Sequence, residues 1–352
     1  MKILMIGEFS GFYKNLKKGF ELQGHDVILM ASGDGWKRIE GADILIDSNW
    51  PYFLGKIHKR IQIIFSLIKL SRFDVALIVN PNIGLSLISK LFSFILKLKS
   101  KKIILSACGT DLEYLKYGEQ NKFDYWPYDV NKPKLSKIIH KNILDSVNFI
   151  IPTFYDYAEP WRQSIYSKNV LTTIPLPIDT DSIKPFFPKD EGKIIFFHGL
   201  NREDFKGTRY IENALLNIEK EFNHEIEVVI DGKMPLNVYL ELVKKVDVVL
   251  DQCKVYSFAS MNSLYSMSLG KVIMSGYREE CKKEYNIESE LPGVLHIEPS
   301  VEQIESQLRY IIKNKHKLRS WGKINRQYVE NFHDVKTIAS RYITLFEKNS
   351  IC

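Results

Sequence analysis

Residues that could bind a phosphate group are concentrated in two segments of the second half of the chain. Residues 247–276 are expected to form a strand, a small-residue loop, a helix and a second strand, with Ser260, Met261 and Asn262 where the helix begins. A helix N-terminus with small neighbours offers free backbone N–H groups to an anion. The other segment, residues 198–207 (HGLNREDFKG), lies one strand region earlier. Two phosphate-type elements in one half predict a diphosphate, and a sugar nucleotide is the ligand we expect.

The side chains of these segments suit that ligand. Arg202 and Lys206 could stabilise a leaving diphosphate, which carries roughly two negative charges, and Gly199 would let the backbone approach it. Four residues should line the second element, namely Ser257, Met261, Asn262 and Ser263. Tyr265 could stack on a ribose or hydrogen-bond to it. Solvated cations, helix capping by Ser260 or Asn262, and a core tyrosine remain open alternatives.

The first half contributes an acid and a small-residue loop. Asp111 follows the fifth predicted strand and could hold a sugar hydroxyl or assist proton movement from an acceptor, or cap the helix that begins near Leu112. Gly7, Ser10 and Gly11 end the first strand and open the next helix without a full GxGxxG pattern. Such a loop should approach the donor phosphate or the acceptor.

Short β-rich runs alternate with amphipathic stretches through almost the whole chain. The predicted strands are 2–7, 26–31, 42–47, 75–80, 102–107 and 148–153 in the first half, and 194–199, 225–232, 247–251, 271–276 and 294–298 in the second. Mostly apolar strands separated by helices predict parallel sheets covered on both faces. Each half should therefore be a doubly wound, Rossmann-like α/β domain.

The domain boundary is marked by prolines. A chain of 352 residues is too long for one hydrophobic core, and four prolines forbid a regular element between the halves, namely Pro175, Pro177, Pro185 and Pro188. We predict a first domain over 1–175, a second domain with the phosphate-type segments over 176–333, and a last helix over 334–352 that packs back on the first domain. Ligands should bind in the crevice beyond the carboxyl ends of the strands.

The spacing of the cysteines and the hydropathy of the chain argue against several classes of protein. Cys108, Cys253, Cys281 and Cys352 are scattered, without a CxxC pair or a histidine at metal-ligand spacing, which argues against a disulfide framework and a zinc site. No run of about 20 apolar residues is present, and the N-terminus is expected to be a strand, not a signal peptide. We expect a cytoplasmic protein that needs no metal and no cofactor, the sugar nucleotide being its substrate.

The formal net charge of +7 is unevenly distributed. Two predicted basic amphipathic helices, 56–72 and 84–102, are of the type that lies on anionic lipid. They could equally be sheet-covering helices with solvated lysines on the outer face. Nucleic acid is not an expected partner, because no recognised binding module accompanies the charge.

Five segments in this order resemble the GT-B fold glycosyltransferases, and among them the retaining family-four type known as glycosyl transferases group 1. The segments are residues 5–11 (MIGEFSG), 108–112 (CGTDL), 174–179 (IPLPID), 198–207 and 265–276 (YSMSLGKVIMSG). The resemblance implies two Rossmann-like domains facing across a cleft, with the donor diphosphate at Arg202 and Lys206. It also implies sugar transfer, with retention, to the hydroxyl of a saccharide or lipid-linked acceptor in surface polysaccharide or glycoconjugate synthesis.

The chain departs from that family pattern at three positions. Where such enzymes carry two glutamates eight positions apart, this chain has Ser257 and Tyr265, and Cys108 replaces a common histidine. The second glutamate usually holds the donor ribose, and Tyr265 stands in its place here. A sugar-nucleotide epimerase and a non-catalytic partner subunit remain as alternatives, whereas the incomplete glycine pattern argues against a nicotinamide dehydrogenase.

Overall fold

Parallel strands build two separate sheets, one in each half of the chain. The computed structural model describes residues 1–79, 81, 86–126, 128, 134–285 and 291–351. The first sheet has the order β3-β2-β1-β4-β5-β6 and the second the order β11-β10-β9-β7-β8, with parallel neighbours in both. The strands are β1 Lys2–Ile6, β2 Asp26–Ala31, β3 Ile44–Leu45, β4 Phe73–Ile78, β5 Ser100–Ala107, β6 Phe149–Pro152, β7 Ile194–Leu200, β8 Ile226–Gly232, β9 Val248–Leu250, β10 Val272–Ser275 and β11 Val294–His296.

Helices alternate with these strands, as a doubly wound fold requires. They are α1 Phe12–Leu22, α2 Tyr52–Lys69, α3 Ser86–Lys99, α4 Leu112–Glu119, α5 Lys137–Leu144, α6 Tyr155–Arg162, α7 Glu203–Lys206, α8 Thr208–Glu221, α9 Leu236–Lys245, α10 Met261–Ser268, α11 Glu279–Tyr285, α12 Val301–Lys313, α13 Leu318–Phe332 and α14 Val335–Lys348. Each predicted strand is found with bounds shifted by a few residues. Residue 80 of one predicted strand and residues 84 and 85 of one predicted helix lie outside the described ranges.

The chain divides into two compact units. Unit 1 comprises Met1–Lys122, Pro133–Pro177 and Val335–Cys352, and unit 2 comprises Phe123–Lys132 and Ile178–Asp334. The boundary at Pro177 falls inside the predicted proline-rich connector. One segment differs from the prediction, since residues 123–126 and Tyr128 belong to unit 2 although they lie within the expected first domain.

The last helix, α14, is part of unit 1 and packs on α1. Gly19 of α1 permits this approach, because a Cβ there would lie 2.3 Å from the carbonyl oxygen of Val335. Next to it, the Phe20 ring lies 5.8 Å from that of Tyr342 and 6.4 Å from that of Phe346, measured between centroids. The apolar side chains of α14 thus complete the cover on one face of the first sheet.

Each sheet reverses its strand order beside its first strand. β1 lies between β2 and β4, and β7 lies between β8 and β9, so the chain winds first to one side and then to the other. In open α/β sheets the loops at the carboxyl ends of the two strands flanking such a reversal diverge and leave room for a ligand. The strands hold these loops firmly, since Phe196 and Phe197 of β7 are fully buried and each such side chain contributes about 1.5–3 kcal/mol.

Candidate functional site

The loop after β7 carries the first predicted site residues. β7 ends one residue after Gly199, and the chain then forms the short helix α7 up to Lys206. Gly207 follows in the left-handed region with a φ of 74°, and a Cβ there would lie 2.4 Å from Sγ of Cys253. The backbone N–H of Cys253 donates to the carbonyl of Lys206 at 2.9 Å. Glycine at 207 therefore lets this loop close on the segment after β9.

Lys206 is buried in an ion pair. Its Nζ lies 3.0 Å from Oδ1 of Asp251 and 3.3 Å from the carbonyl oxygen of Gly199, and the two charged residues are 5% and 1% exposed. Burial alone raises the pKa of the Asp251 carboxyl, but the charge of Lys206 and nearby hydroxyl donors outweigh it and hold this pKa below its usual range. The carboxylate is therefore ionised at neutral pH and offsets the lysine charge.

The N-terminus of α10 converges on the same carboxylate. Ser260 caps the helix by accepting from the backbone N–H of Ser263 at 3.2 Å, and its hydroxyl donates to Oδ2 of Asp251. The Ser263 hydroxyl donates to Oδ2 at 2.9 Å, and the Asn262 amide donates to Oδ1 at 2.7 Å. The hydroxyl of Tyr239 on α9 fixes that amide by donating to its oxygen. Asp251 thus joins the loop after β7 to the start of α10.

Arg202 lies at the exposed edge of this cluster. Its guanidinium stacks on the ring of Phe205, with Cζ 3.8 Å from the centroid, and Nη2 donates to the hydroxyl of Tyr128 at 2.6 Å. The rings of Tyr128 and Phe205 also contact each other, with centroids 5.8 Å apart. Two aromatic side chains therefore orient this cation, as Arg stacking on aromatic faces generally does.

Tyr128 reaches this position because residues 123–126 before it are anchored to unit 2. The backbone N–H of Asp124 donates to the hydroxyl of Tyr256 at 2.9 Å, and the Asp124 carboxylate pairs with Arg278. The guanidinium of Arg278 lies 4.3 Å from the ring centroid of Tyr256 and 4.8 Å from that of Tyr125. The segment therefore runs along the loops that follow β9 and β10.

The other three predicted donor residues are buried in unit 2. Ser257 is fully buried, with Oγ 3.1 Å from Sγ of Cys281. Met261 and Tyr265 point into the interior of unit 2 and are 6% and 5% exposed. Their roles at a ligand stay predictions, as do those of Gly199, Arg202, Lys206, Asn262 and Ser263, which the structure does bring together.

His198, inside the same predicted segment, has an internal role. Its Nδ1 lies 2.9 Å from the carbonyl oxygen of Leu250 and its Nε2 lies 2.9 Å from Oγ1 of Thr208. Burial, assisted by the charge of Lys206, lowers its pKa to about 4. The neutral imidazole therefore ties β7 to β9 and to α8.

In unit 1, the loop after β1 encloses an acid that sequence reasoning passed over. Glu8 is 5% exposed and accepts from the backbone N–H groups of Gly11 at 2.9 Å, Tyr13 at 3.4 Å and Lys14 at 2.8 Å. Burial raises its pKa to about 7, opposed by these N–H donors. The first turn of α1, where Gly7, Ser10 and Gly11 predict a phosphate or acceptor loop, thus already holds a carboxyl group. Gly7, Ser10 and Gly11 have φ values of 95°, 55° and 90°.

Asp111 caps α4, as one of the two sequence interpretations proposed. Its Oδ1 accepts from the backbone N–H of Tyr114 at 2.9 Å and its Oδ2 accepts from the indole N–H of Trp161 at 3.0 Å. Burial raises the pKa of this carboxyl to about 7. The second interpretation, a contact with an acceptor, stays a prediction, since Asp111 lines only a narrow, mostly apolar recess with Leu105 and Cys108.

Solved structures share this fold over nearly the whole chain, although no family model and no curated protein sequence matches it. Sucrose-phosphate synthase from Thermosynechococcus elongatus superposes with a TM-score of 0.66 at 12% identity, covering 99% of both chains. HepE from Anabaena in complex with UDP-glucose gives 0.64 at 10% identity, covering 99% of this chain and 100% of that one.

An epimerase has the same architecture. UDP-GlcNAc 2-epimerase from Neisseria meningitidis bound to UDP-GlcNAc gives a TM-score of 0.54 at 15% identity, covering 99% of this chain and 100% of the other. At such identities the likeness extends to the fold alone. Together with the two parallel sheets it confirms the predicted fold class, and the chain consists of two Rossmann-like α/β domains with a GT-B, glycosyltransferase-like fold.

Proposed function

We propose that this protein is a glycosyltransferase that moves a sugar from a nucleotide-diphosphate donor to an acceptor hydroxyl. The observation that carries the proposal is the meeting of the loop after β7 with the N-terminus of α10 beside the strand reversal of unit 2. This is the position at which open α/β sheets bind nucleotides. The matched structures include complexes with UDP, UDP-glucose and UDP-GlcNAc, which support a UDP-sugar as the first donor to test.

Three kinds of group would hold the diphosphate. Arg202 supplies an exposed guanidinium that is already oriented by Phe205 and Tyr128. The N-terminus of α10 supplies backbone N–H groups and the positive end of a helix dipole. Lys206 uses two of its three N–H bonds on Asp251 and Gly199, and we assign the third to the donor. Charge that develops on the leaving diphosphate would then meet donors that need no rearrangement.

The acceptor side of the proposal rests on unit 1. Asp111 would accept the hydroxyl proton of the acceptor, a role for which a pKa of about 7 is well matched. The retaining outcome, the hexosyl type of the transferred group and a saccharide or lipid-linked acceptor follow from the family resemblance. A location at the inner face of a membrane follows from the predicted basic helices 56–72 and 84–102.

Calorimetric titration with UDP-glucose and UDP-GlcNAc tests the donor site. Wild type should bind one of them, and Arg202→Gln should weaken binding about tenfold, the effect of losing roughly 1.4 kcal/mol. Arg209→Gln is the matched control, because Arg209 also stacks on an aromatic ring, that of Tyr210, with Cζ 4.8 Å from the centroid. Equal affinities for wild type and Arg202→Gln would remove the diphosphate role from this loop.

Lys206 needs a second variant, because its removal alone would leave Asp251 buried without a counter-ion. The pair Lys206→Met and Asp251→Asn removes both charges while keeping similar volumes, so the fold should be retained. If Lys206 binds the donor, this double variant loses donor affinity although it unfolds at a similar temperature. Undiminished affinity in the double variant would contradict the role assigned to Lys206.

An epimerase is the second candidate, favoured by the structural likeness to UDP-GlcNAc 2-epimerases over nearly the whole chain. Incubation of the donor alone separates the two reactions, since an epimerase converts it without any acceptor. A non-catalytic partner subunit is supported by the two family glutamates that are replaced by Ser257 and Tyr265. Turnover of any donor by the isolated chain would exclude that alternative.

A further inference from the structure

The outward face of two neighbouring helices in unit 1 is apolar. On α2, Leu54, Ile61, Phe65 and Ile68 are spaced by seven, four and three residues and are 48%, 41%, 60% and 52% exposed. Such spacing places them on one face of a helix. The other side of α2 packs inward, with Ile64 and Leu67 buried. The outward residues therefore do not belong to the core of unit 1.

The adjacent helix α3 repeats this arrangement. Leu87, Leu91, Phe94 and Leu98 are spaced by four, three and four residues and are 81%, 47%, 61% and 54% exposed, whereas Phe92 and Leu96 are fully buried. α2 and α3 pack against each other, so their two apolar stripes lie side by side. We call the eight outward residues of α2 and α3 the apolar face. A contiguous face of this kind marks a binding surface on a protein that otherwise covers its core.

The charge around the apolar face has one sign. Residues 48–73 and 75–110 contain ten lysines and arginines and no aspartate or glutamate. Several of these cations are exposed at the edges of the apolar face, namely Lys56, Lys69, Arg72, Lys90 and Lys97. Asp47 before α2 and Asp74 after it are paired with Lys59 at 3.0 Å and with Lys101 at 2.7 Å. The region therefore presents apolar groups inside a cationic rim.

We propose that α2 and α3 dock this protein on an anionic lipid surface, with the apolar face inserted at the headgroup boundary. Lysine and arginine side chains suit that boundary, because their aliphatic stems can be buried beside apolar groups while their charged ends reach lipid phosphates. A helix of 18 residues extends about 27 Å, and among the described residues no helix is long and apolar enough to cross a membrane. The helices would lie along the surface.

This surface does not depend on the proposed transferase reaction, since lipid binding is measured without donor or acceptor. The test is co-sedimentation of the full chain with phosphatidylcholine vesicles and with vesicles that also contain phosphatidylglycerol. Binding is expected to the anionic vesicles and to be much weaker to the neutral ones. High salt should reduce the binding without abolishing it, because the apolar part is not screened.

Substitutions distinguish the apolar face from charge alone. Phe65→Gln with Phe94→Gln should weaken binding to anionic vesicles about tenfold or more, and Lys90→Gln with Lys97→Gln should remove the preference for anionic lipid. Ile165→Gln is the matched control, because Ile165 is 87% exposed in the same unit but lies outside α2 and α3. All these side chains are exposed, so the melting temperatures should stay close to that of wild type.

Two results would overturn the proposal. Full vesicle binding by the Phe65 and Phe94 double variant would show that the apolar face does not insert. Absence of binding to either vesicle, together with self-association that the same double variant abolishes, would assign the face to a second copy of this chain.

Discussion

A buried carboxyl group lies near the end of a central strand in each unit, and the two groups differ in what surrounds them. Asp251 in unit 2 accepts from an ammonium, two hydroxyls and an amide, whereas Glu8 in unit 1 accepts from three backbone N–H groups. The pKa of Asp251 is accordingly held low, while burial raises that of Glu8 to about 7. Similar burial thus accompanies pKa shifts of opposite sign, because the ammonium of Lys206 lies beside Asp251.

This difference separates a fixed site from one that titrates. In unit 2 the ionised Asp251 holds Lys206 and the first turn of α10 in one arrangement over the physiological pH range. In unit 1 the carboxyl of Glu8 takes up a proton near neutrality, and the loop that contains Ser10 and Gly11 is attached to it. We expect the donor site to be insensitive to pH and the loop after β1 to respond to it.

Removal of Asp251 should have the largest effect. Asp251→Ala leaves the buried ammonium of Lys206 without a partner and frees the donors on α10, so the free energy of unfolding should fall by about 3–5 kcal/mol. Urea denaturation followed by circular dichroism measures this loss. The double variant Lys206→Met with Asp251→Asn is the control and should lose less than Asp251→Ala. If Asp251→Ala cost under about 1 kcal/mol, the network would not hold the site.

The second effect is a dependence of stability on pH at Glu8. The folded pKa of about 7 lies above the ordinary value of 4.5, so the stability linked to this group is present at pH 4.5 and is lost as pH rises through 7. The integrated loss is at most about 3 kcal/mol. Glu8→Gln removes this pH dependence. Between pH 5 and pH 8 the free energy of unfolding of wild type should therefore fall relative to that of the variant.

The difference in unfolding free energy between wild type and Glu8→Gln isolates the contribution of Glu8. Asp111 also has a pKa of about 7, but it titrates equally in both proteins. The double variant Lys206→Met with Asp251→Asn, which leaves no unpaired charge, provides the opposite case. A lowered pKa gives stability that is present above the ordinary value of 3.8 and is lost only as pH falls through the folded value. Its difference from wild type should therefore stay constant from pH 5 to pH 8. A Glu8→Gln difference that is equally constant would contradict the raised pKa.

The sequence predicts the fold better than the interior of the site. Apolar strands separated by amphipathic stretches depend on local spacing, and for this reason the strands and the fold class are correctly predicted. Asp251 directly follows β9, and its partner Lys206 is 45 residues away in the sequence. Only the adjacency of β7 and β9 brings the pair together.

Glu8 and Tyr128 were missed for related reasons. An acid in a small-residue loop is ordinarily solvated, and Glu8 becomes buried only when α1 folds over it. Tyr128 contacts Arg202 across 74 residues, through a segment that leaves unit 1 for unit 2. Hydroxyl and amide side chains at Ser260, Asn262 and Ser263 were a usable signal, since several donors at one helix start need an acceptor.

The smallest effect on stability, and the sharpest test of a working donor site, is expected at Tyr128. Tyr128→Phe removes the hydroxyl that accepts from Arg202 at 2.6 Å while keeping the ring against Phe205. Because the bond lies at an exposed guanidinium, the free energy of unfolding should change by less than about 0.5 kcal/mol. Donor affinity should fall by a smaller factor than in Arg202→Gln, since the cation remains but is less well oriented. A loss of donor affinity as large as that of Arg202→Gln would mean that Tyr128 itself contacts the donor. Calorimetry on the two single variants and on the double variant distinguishes these cases, because the losses add only if the two residues act independently.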